Sequence, residues 1–218
     1  MSGLISKVGR YGSKLLRHPV TTIRGIPDSI ESLRMRYRGD SIFRRPSDVA
    51  SASTCPTRMI DKAIELWHPH SVLDVGCGIG RAMDYFIERG VTDAIGLEGS
   101  PLARSMAKDP DLIRETDLSK PLDLGRRFDL AYTVEVAEHI HPDYADVFVA
   151  NVVRHSDRVL MTAARPGQGG MGHLNEQEPA YWYRKFADAG YRPDEPAREA
   201  IRELKDAYHE NVLVFVRG

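Results

Sequence analysis

Residues Ser71 to Gly80 read Ser-Val-Leu-Asp-Val-Gly-Cys-Gly-Ile-Gly, and this stretch decides the fold of the chain. Val72, Leu73 and Val75 predict a strand that is buried on both faces, and the glycines after it predict a sharp turn where the backbone approaches a ligand closely. Residues 81–88 continue with apolar side chains at helical spacing. A strand, a glycine-rich turn and a helix in this order predict a nucleotide-binding site.

The spacing of the glycines distinguishes between ligands. It is tighter than the six-residue dinucleotide fingerprint, and the turn lacks the Lys-Ser/Thr ending of a P-loop. Asp74, just before the turn, would repel a phosphate but can accept hydrogen bonds from the cationic end of an amino-acid ligand. The turn resembles the first motif of class I S-adenosylmethionine (SAM) methyltransferases. That resemblance implies a Rossmann-like α/β fold and these cofactor contacts: Asp74, Gly76, Cys77, Gly78 and Gly80.

A second apolar segment, Asp93 to Glu98, ends in an acid eighteen positions after Gly80. A carboxylate at such a strand end can bind both ribose hydroxyls of a nucleoside, although NAD-binding folds use the same device. We include the next two residues, Gly99 and Ser100, in the cofactor site, and also Glu135, which follows the fourth predicted strand. A third strand region, residues 112–118, places Asp117 and Leu118 where the methyltransferase pattern has residues near the adenine amino group.

The composition is that of an ordinary soluble protein of one main domain: 218 residues, 42% hydrophobic and 28% charged. No apolar run is long enough to span a membrane, and the first residues lack a continuous signal-peptide core, so we expect a cytoplasmic protein. Cys55 and Cys77 are the two cysteines, and the second lies in the glycine turn. This argues against a disulfide framework.

The charge is concentrated near the start of the chain. Residues 1–46 contain ten Lys or Arg and three acids, a charge of +7, which leaves −8 for the rest because the whole chain carries −1. Two short amphipathic helices are predicted here. They form either an electropositive lid or arm for an anionic or polymeric substrate, or a solvated face on helices that cap the fold or pair two subunits. The Ser- and Thr-containing stretch Pro46–Pro56 predicts a linker. We therefore expect a basic helical arm over 1–46 and a methyltransferase domain over 47–218.

From Pro56 onward, predicted helices and strands alternate, beginning with a helix over Thr57–Trp67. Such alternation predicts a mostly parallel sheet with helices on both faces. The end of the chain differs, because strands at 191–193 and 211–216 flank a predicted helix over 197–207. The class I methyltransferase resemblance implies a seven-stranded sheet whose last strand is antiparallel.

A candidate metal site follows the fourth predicted strand, residues 128–134, where the chain continues Glu135-Val-Ala-Glu138-His139-Ile-His141-Pro. Ligands of open α/β sheets bind beyond the carboxyl ends of the strands. If a helical turn begins here, positions 135, 138 and 139 project to one side. Two carboxylates and an imidazole suit a divalent cation such as Mg²⁺ or Mn²⁺. His173, in the loop after the fifth strand, is the candidate for a fourth ligand.

This pattern, Glu-x-x-Glu-His with a later His, resembles the metal site of small-RNA 3′-terminal 2′-O-methyltransferases and, in part, that of ubiquinone-biosynthesis O-methyltransferases. The resemblance covers residues 72–173 and implies four metal ligands: Glu135, Glu138, His139 and His173. The loop and Tyr181-Trp-Tyr after it are more loosely similar to bacterial sugar O-methyltransferases, including those of mycobacterial methylmannose polysaccharides.

Several of these assignments have a plain structural alternative. Acidic residues are also favoured at the start of a helix, so Glu135 and Glu138 have an explanation that involves no metal. His141 is either a general base or only the residue before Pro142, and His139 and His173 are further candidates for removing the acceptor proton. The aromatic residues at 181–183 either stack on a sugar or pack in the core.

The sequence thus predicts a SAM- and metal-dependent O-methyltransferase of a saccharide or other polyol. A vicinal diol is the expected substrate feature, because one cation can chelate and activate two neighbouring hydroxyls. The alternatives are methylation of a terminal RNA ribose, for which no RNA-binding module is visible, a metal-free enzyme acting on a phenol or carboxylate, and a non-catalytic SAM-binding scaffold. We expect no membrane partner, and a homodimer is compatible with the basic arm.

Overall fold

The computed structural model describes Phe43, residues 45–52 and residues 54–218. The two predicted amphipathic helices of the basic arm, and the dimer contact suggested for them, lie outside the described residues. No helix in the described part combines the length and the apolar character that crossing a membrane requires.

Seven helices and seven strands make up the described chain, with 3₁₀ turns over Pro110–Leu112, Ala137–His139, Pro142–Tyr144 and His209–Asn211. The helices are α1 (Pro46–Ala52), α2 (Thr57–Trp67), α3 (Arg81–Glu88), α4 (Pro101–Ser105), α5 (Ala145–His155), α6 (Pro179–Asp188) and α7 (Glu195–Arg202). The strands are β1 (Ser71–Val75), β2 (Asp93–Glu98), β3 (Ile113–Glu115), β4 (Leu130–Val134), β5 (Arg158–Thr162), β6 (Tyr191–Pro193) and β7 (Val212–Arg217).

All seven strands form one sheet in the order β3-β2-β1-β4-β5-β7-β6. Neighbouring strands from β3 to β5 are parallel, whereas β7 is antiparallel to both β5 and β6. This confirms the predicted seven-stranded, mostly parallel sheet with an antiparallel last strand. The carboxyl ends of β1, β2 and β4 consequently lie side by side, where the glycine turn, Glu98 and the Glu135–His141 segment begin.

Two apolar clusters cover the sheet. One contains Phe148 of α5 and Trp182 of α6, and the other contains Met59 of α2, Phe86 of α3 and Ile201 of α7. Trp182 is completely buried, which favours the core interpretation of the aromatic residues at 181–183. Helices therefore pack on both faces, as the alternating pattern predicted.

The predicted linker Pro46–Pro56 is wrong over its first half, because residues 46–52 form α1. Pro46 occupies the first helical position, where its fixed φ suits a helix. The Asp48 carboxylate accepts from the backbone N–H of Arg45 at 3.0 Å, and Val49 is completely buried. The linker prediction relied on the Ser and Thr residues of this stretch and gave no weight to these helix signals. The last predicted helix is also shifted: α7 starts at Glu195 because Asp194 caps it, its carboxylate accepting from the N–H of Ala197.

Candidate active site

A cavity of about 660 Å³ opens beyond the carboxyl ends of β1, β2 and β4. It is bordered by the glycine turn, the end of β2, the segment after β3 and the segment after β4. Most of the predicted cofactor residues line it: Asp74, Gly76, Cys77, Gly78, Glu98, Gly99, Asp117, Leu118 and Glu135. Gly80 and Ser100 are not among the lining residues. Gly80, at φ +79°, is the N-cap residue of α3, and the Ser100 hydroxyl caps α4.

Glu98 connects the two turns at the floor of this cavity. Its carboxylate accepts from the backbone N–H of Gly78 at 2.9 Å and from that of Ser100 at 2.7 Å. Burial raises the pKa of Glu98, and these backbone hydrogen bonds oppose that effect. Each carboxylate oxygen keeps a second lone pair, so the side chain can hold the glycine turn and still accept hydrogen bonds from a ribose.

Asp74 is almost fully buried beside the turn, with 3% of its surface exposed. Burial, and then the charge of Glu98, raise its pKa to about 7, while the backbone N–H of Met83 partly offsets this. Its Oδ2 atom has no hydrogen-bond partner among the described residues. A buried carboxylate oxygen of this kind is suited to a cationic ligand group.

Asp117 is held by its own loop. Burial would raise its pKa, but hydrogen bonds from the Ser119 hydroxyl and from Lys120 outweigh burial and leave the pKa lowered. The Lys120 ammonium lies 3.0 Å from its Oδ2. The loop is itself anchored to α5, where the Asn151 amide accepts from the N–H of Leu122 and donates to the carbonyl of Lys120, each at 2.8 Å. Asp117 is thus positioned at the cavity wall by loop contacts.

Three of the four predicted metal ligands come together. One donor atom each from Glu138, His139 and His173 lies within 4.8 Å of the others. Glu138 is completely buried, and neither of its carboxyl oxygens has a hydrogen-bond partner of normal geometry within the described chain. Burial, and then the charge of Glu135, raise its pKa to about 8. The Glu138 carbonyl accepts from the N–H groups of Leu174 and Asn175 at 2.7 and 2.9 Å, which ties the loop of His173 to this turn.

Both imidazoles of this cluster are oriented through Nδ1. His139 Nδ1 lies 3.1 Å from the carbonyl oxygen of Gly172, which can only accept, so Nδ1 carries the hydrogen and Nε2 keeps its lone pair. Burial, together with His173, lowers the pKa of His139 to about 4. His173 Nδ1 lies 2.8 Å from Oε1 of Glu176, which favours the same tautomer. Such outer hydrogen bonds are typical of histidines that bind metals.

Glu135 lies beside this cluster rather than within it. Gln168 Nε2 donates to its Oε2 at 2.8 Å, and Asn211 Nδ2 donates to its Oε1 at 3.0 Å. The backbone explains why the predicted helical face does not form: Glu135 has φ +53°, and the 3₁₀ turn starts only at Ala137. A left-handed residue at this point re-aims the side chain relative to one at the start of a regular helix.

His141 precedes the 3₁₀ turn Pro142–Tyr144, and its Nδ1 accepts from the N–H of Asp143 at 3.2 Å. The ring also lines the cavity, where a general base would lie.

Sequence reasoning missed the residues that support the site, namely Gln168, Glu176 and Asn211. Glu176 accepts from His173 and from the N–H groups of Gly167 and Gly169, at 2.8, 2.9 and 2.6 Å. Its position three residues after His173 was an available signal. Asn211, next to the start of β7, gave none, because only the sheet order brings it to Glu135.

The comparisons with known proteins agree with this architecture. A profile of the methyltransferase domain family matches residues 45–161, more than half of the chain. The chain therefore belongs to that family, as the glycine turn predicted. No curated protein has a significantly similar sequence.

Solved structures share the fold at low sequence identity. The sugar N-methyltransferase KedS8 from a Streptoalloteichus species is 17% identical with a TM-score of 0.57, covering 92% of this chain and 97% of its own. The methyltransferase domain of the bacterial protein CtHen1-C is 15% identical with a TM-score of 0.55, covering 74% and 96%. Magnesium protoporphyrin IX methyltransferase from Synechocystis, solved with S-adenosylhomocysteine (SAH), is 15% identical with a TM-score of 0.58, covering 88% and 95%. At these identities the likeness shows the common fold.

Proposed function

We propose that this chain is a SAM-dependent, divalent-metal-dependent O-methyltransferase that acts on a hydroxyl of a saccharide or another polyol. The observation that carries the proposal is the convergence of Glu138, His139 and His173 next to a cavity at the carboxyl ends of the strands. The family match supplies methyl transfer as the reaction class.

SAM is the donor that the cavity fits. Its ribose would meet Glu98 and its adenine the loop at Asp117, while its cationic amino-acid end would lie near the unpartnered Oδ2 of Asp74. A carboxylate beside the glycine turn favours such a cation over a pyrophosphate. Gly76, Cys77 and Gly78 of the glycine turn also line the cavity, and we assign them to contact SAM.

The donor set at the carboxyl end of β4 fits a divalent metal. Neither buried oxygen of Glu138 has a hydrogen-bond partner of normal geometry in the described chain, and both histidines have Nδ1 occupied, which leaves Nε2 as the ligand atom. Two imidazoles and one carboxylate suit Mn²⁺ better than Mg²⁺, which prefers oxygen ligands. When bound, such an ion supplies Lewis acidity that lowers the pKa of a sugar hydroxyl.

The protein's own task is to align the acceptor hydroxyl with the methyl group. Alignment alone can contribute several kcal/mol to an in-line displacement. Glu135 lines the cavity with its carboxylate fixed by Gln168 and Asn211, so we assign it to accept a hydrogen bond from the acceptor instead of binding the metal. If Nε2 of His139 and of His173 held the metal, neither ring would have a free nitrogen to remove the proton.

The charge around the acceptor end supports a neutral substrate. The described residues that line it include no Lys or Arg: Glu135, Val136, His139, Ile140, His141, Tyr144 and Leu174. The cavity-lining cations Arg81 and Lys120 belong to the cofactor end. A saccharide hydroxyl needs no cationic pocket, whereas a phosphate chain gains its affinity from one.

The experiment is a Mn²⁺ titration of the purified protein with SAH present, following free Mn²⁺ by electron paramagnetic resonance. We expect about one bound ion per chain, lost in His173→Ala, and transfer of a labelled methyl group from SAM to at least one vicinal diol in a polyol panel. Full methyl transfer by His173→Ala would contradict metal dependence and favour a metal-free phenol or carboxylate methyltransferase. Absence of SAH binding would contradict the SAM proposal.

A terminal RNA ribose is the second candidate, because it also offers a vicinal diol and because residues 1–46 carry +7. Its affinity should fall steeply with salt, since each phosphate contact releases counterions. We expect methylation of a neutral polyol to change little between 50 and 200 mM salt. Preferential, salt-sensitive methylation of an RNA with a free 3′-terminal diol would favour the RNA assignment.

A further inference from the structure

Two neighbouring side chains of the cofactor cavity each bury a polar atom without a partner. Of the described residues that contain such an atom, Asp74 and Tyr132 are the two that line the cavity. The atoms are Oδ2 of Asp74 and the hydroxyl of Tyr132, and the residues are 3% and 1% exposed. A buried polar atom without a partner costs stability, so two such atoms in neighbouring residues that line one cavity require an explanation.

The pairing of β1 with β4 places the two residues side by side. Asp74 of β1 and Tyr132 of β4 are paired in register on neighbouring parallel strands, so they project from the same face. The Tyr132 ring is fixed by an edge-on contact with Phe86 of α3, with ring centroids 5.3 Å apart. Burial, and then the charge of Asp74, raise the pKa of Tyr132 well above its usual value, so the phenol stays protonated.

The chemistry of the pair defines its ligand. An ionised carboxylate only accepts hydrogen bonds, whereas a phenol accepts one and donates one. An α-amino acid group meets both needs, because its ammonium donates several hydrogen bonds and its carboxylate accepts them. A ribose or an adenine carries no positive charge to offset the buried Asp74 carboxylate.

We infer that the Tyr132 hydroxyl binds the amino-acid end of SAM together with Asp74, as a further cofactor contact on β4. This rests on the SAM dependence proposed above. The Tyr132 oxygen accepts an N–H of the ammonium, and its hydrogen is directed to the neighbouring carboxylate of the same ligand end. The contact adds a specificity element for the donor, because adenosine compounds without the amino acid cannot form it.

The test compares two ligands by isothermal titration calorimetry. SAH contains the amino-acid end, and 5′-methylthioadenosine has the same nucleoside and thioether without it. In Tyr132→Phe we expect the SAH affinity to fall about tenfold to a hundredfold, the range for a hydrogen bond to a charged group, and the methylthioadenosine affinity to be unchanged. The melting temperature of the free protein should stay the same or rise, because a buried hydroxyl without a partner is removed.

Tyr191→Phe is the matched control, because the Tyr191 hydroxyl is also buried but donates to the carbonyl of Ser156 at 2.6 Å, away from the cavity. It should lower the melting temperature by about 2–4 °C and leave the SAH affinity unchanged. An unchanged SAH affinity in Tyr132→Phe, or an equal loss for both ligands, would overturn the inference. If the wild-type protein bound no SAH, the SAM proposal itself would fail. If it bound SAH but Tyr132→Phe changed nothing, only the inference about Tyr132 would fail.

Discussion

Glu176 organises the loop that contains His173, since its carboxylate accepts from His173, Gly167 and Gly169. The hydrogen bond from His173, together with these backbone N–H groups, holds the pKa of Glu176 below its usual value. We expect Glu176→Gln to weaken Mn²⁺ binding about tenfold to a hundredfold, the usual effect of removing the partner that orients a metal-binding histidine. The measurement is the Mn²⁺ titration by electron paramagnetic resonance.

Glu178→Gln is the control for this variant. It makes the same change of charge two residues further along, at an exposed position whose side chain does not cap α6. Its Mn²⁺ affinity should match that of the wild type. Equal affinities for the two variants would show that Glu176 does not position His173.

Glu135 and Glu138 are three residues apart, and the sequence analysis predicts both of them as metal ligands. The structure separates them by a local backbone feature, the left-handed conformation of Glu135, which no pattern of apolar residues reveals. Glu138→Gln should therefore abolish detectable Mn²⁺ binding, whereas Glu135→Gln should keep it and lose methyl transfer. The same titration and a labelled-methyl assay measure the two effects. Loss of the ion in both variants would restore Glu135 as a ligand.

At the scale of elements, the strands and α2 were predictable because buried strands and an amphipathic helix leave a periodic pattern. Helix α2 has the predicted bounds, Thr57–Trp67. The loop over residues 165–177 has no such pattern, and its conformation depends on contacts with Glu138, Glu135 and Glu176 that are distant or irregular in sequence. The composition of the proposed metal site was therefore more predictable than its geometry.

Gly170 tests the fit of that loop. A Cβ atom at this position would lie 2.3 Å from Nε2 of His173, so Gly170→Ala must displace the imidazole. We expect a loss of Mn²⁺ affinity of at least about tenfold, with SAH affinity unchanged. Gly169→Ala is the control: it has open space around its Cβ and φ +68°, so it adds backbone strain to the same loop without touching His173. A similar loss in both variants would mean that the loop as a whole, and not the ring contact, was disturbed.

At the scale of the whole molecule, the proposed contact of Asp74 with the cofactor would make SAH binding and stability depend on pH. The Asp74 pKa of about 7 exceeds the value of about 4 in an unfolded chain, so the folded protein holds an extra proton between these values. The stability that this proton provides is present below about pH 4 and is lost as the pH rises through about 7. A cationic ligand group beside Asp74 favours the ionised form and so opposes that loss.

SAH binding should therefore release close to one proton at about pH 6, and its affinity should rise by up to about tenfold per pH unit until Asp74 is ionised. Calorimetry in two buffers of different ionisation enthalpy measures the released proton directly. Asp74→Asn should bind SAH more weakly and release none, because the amide has no proton to lose in this range. Burial also raises the pKa of Glu98 against the N–H groups of Gly78 and Ser100, so the proton release assigned to Asp74 is the part that Asp74→Asn abolishes. Proton uptake on binding, or release that persists in Asp74→Asn, would contradict the placement of the cationic end of the cofactor at Asp74.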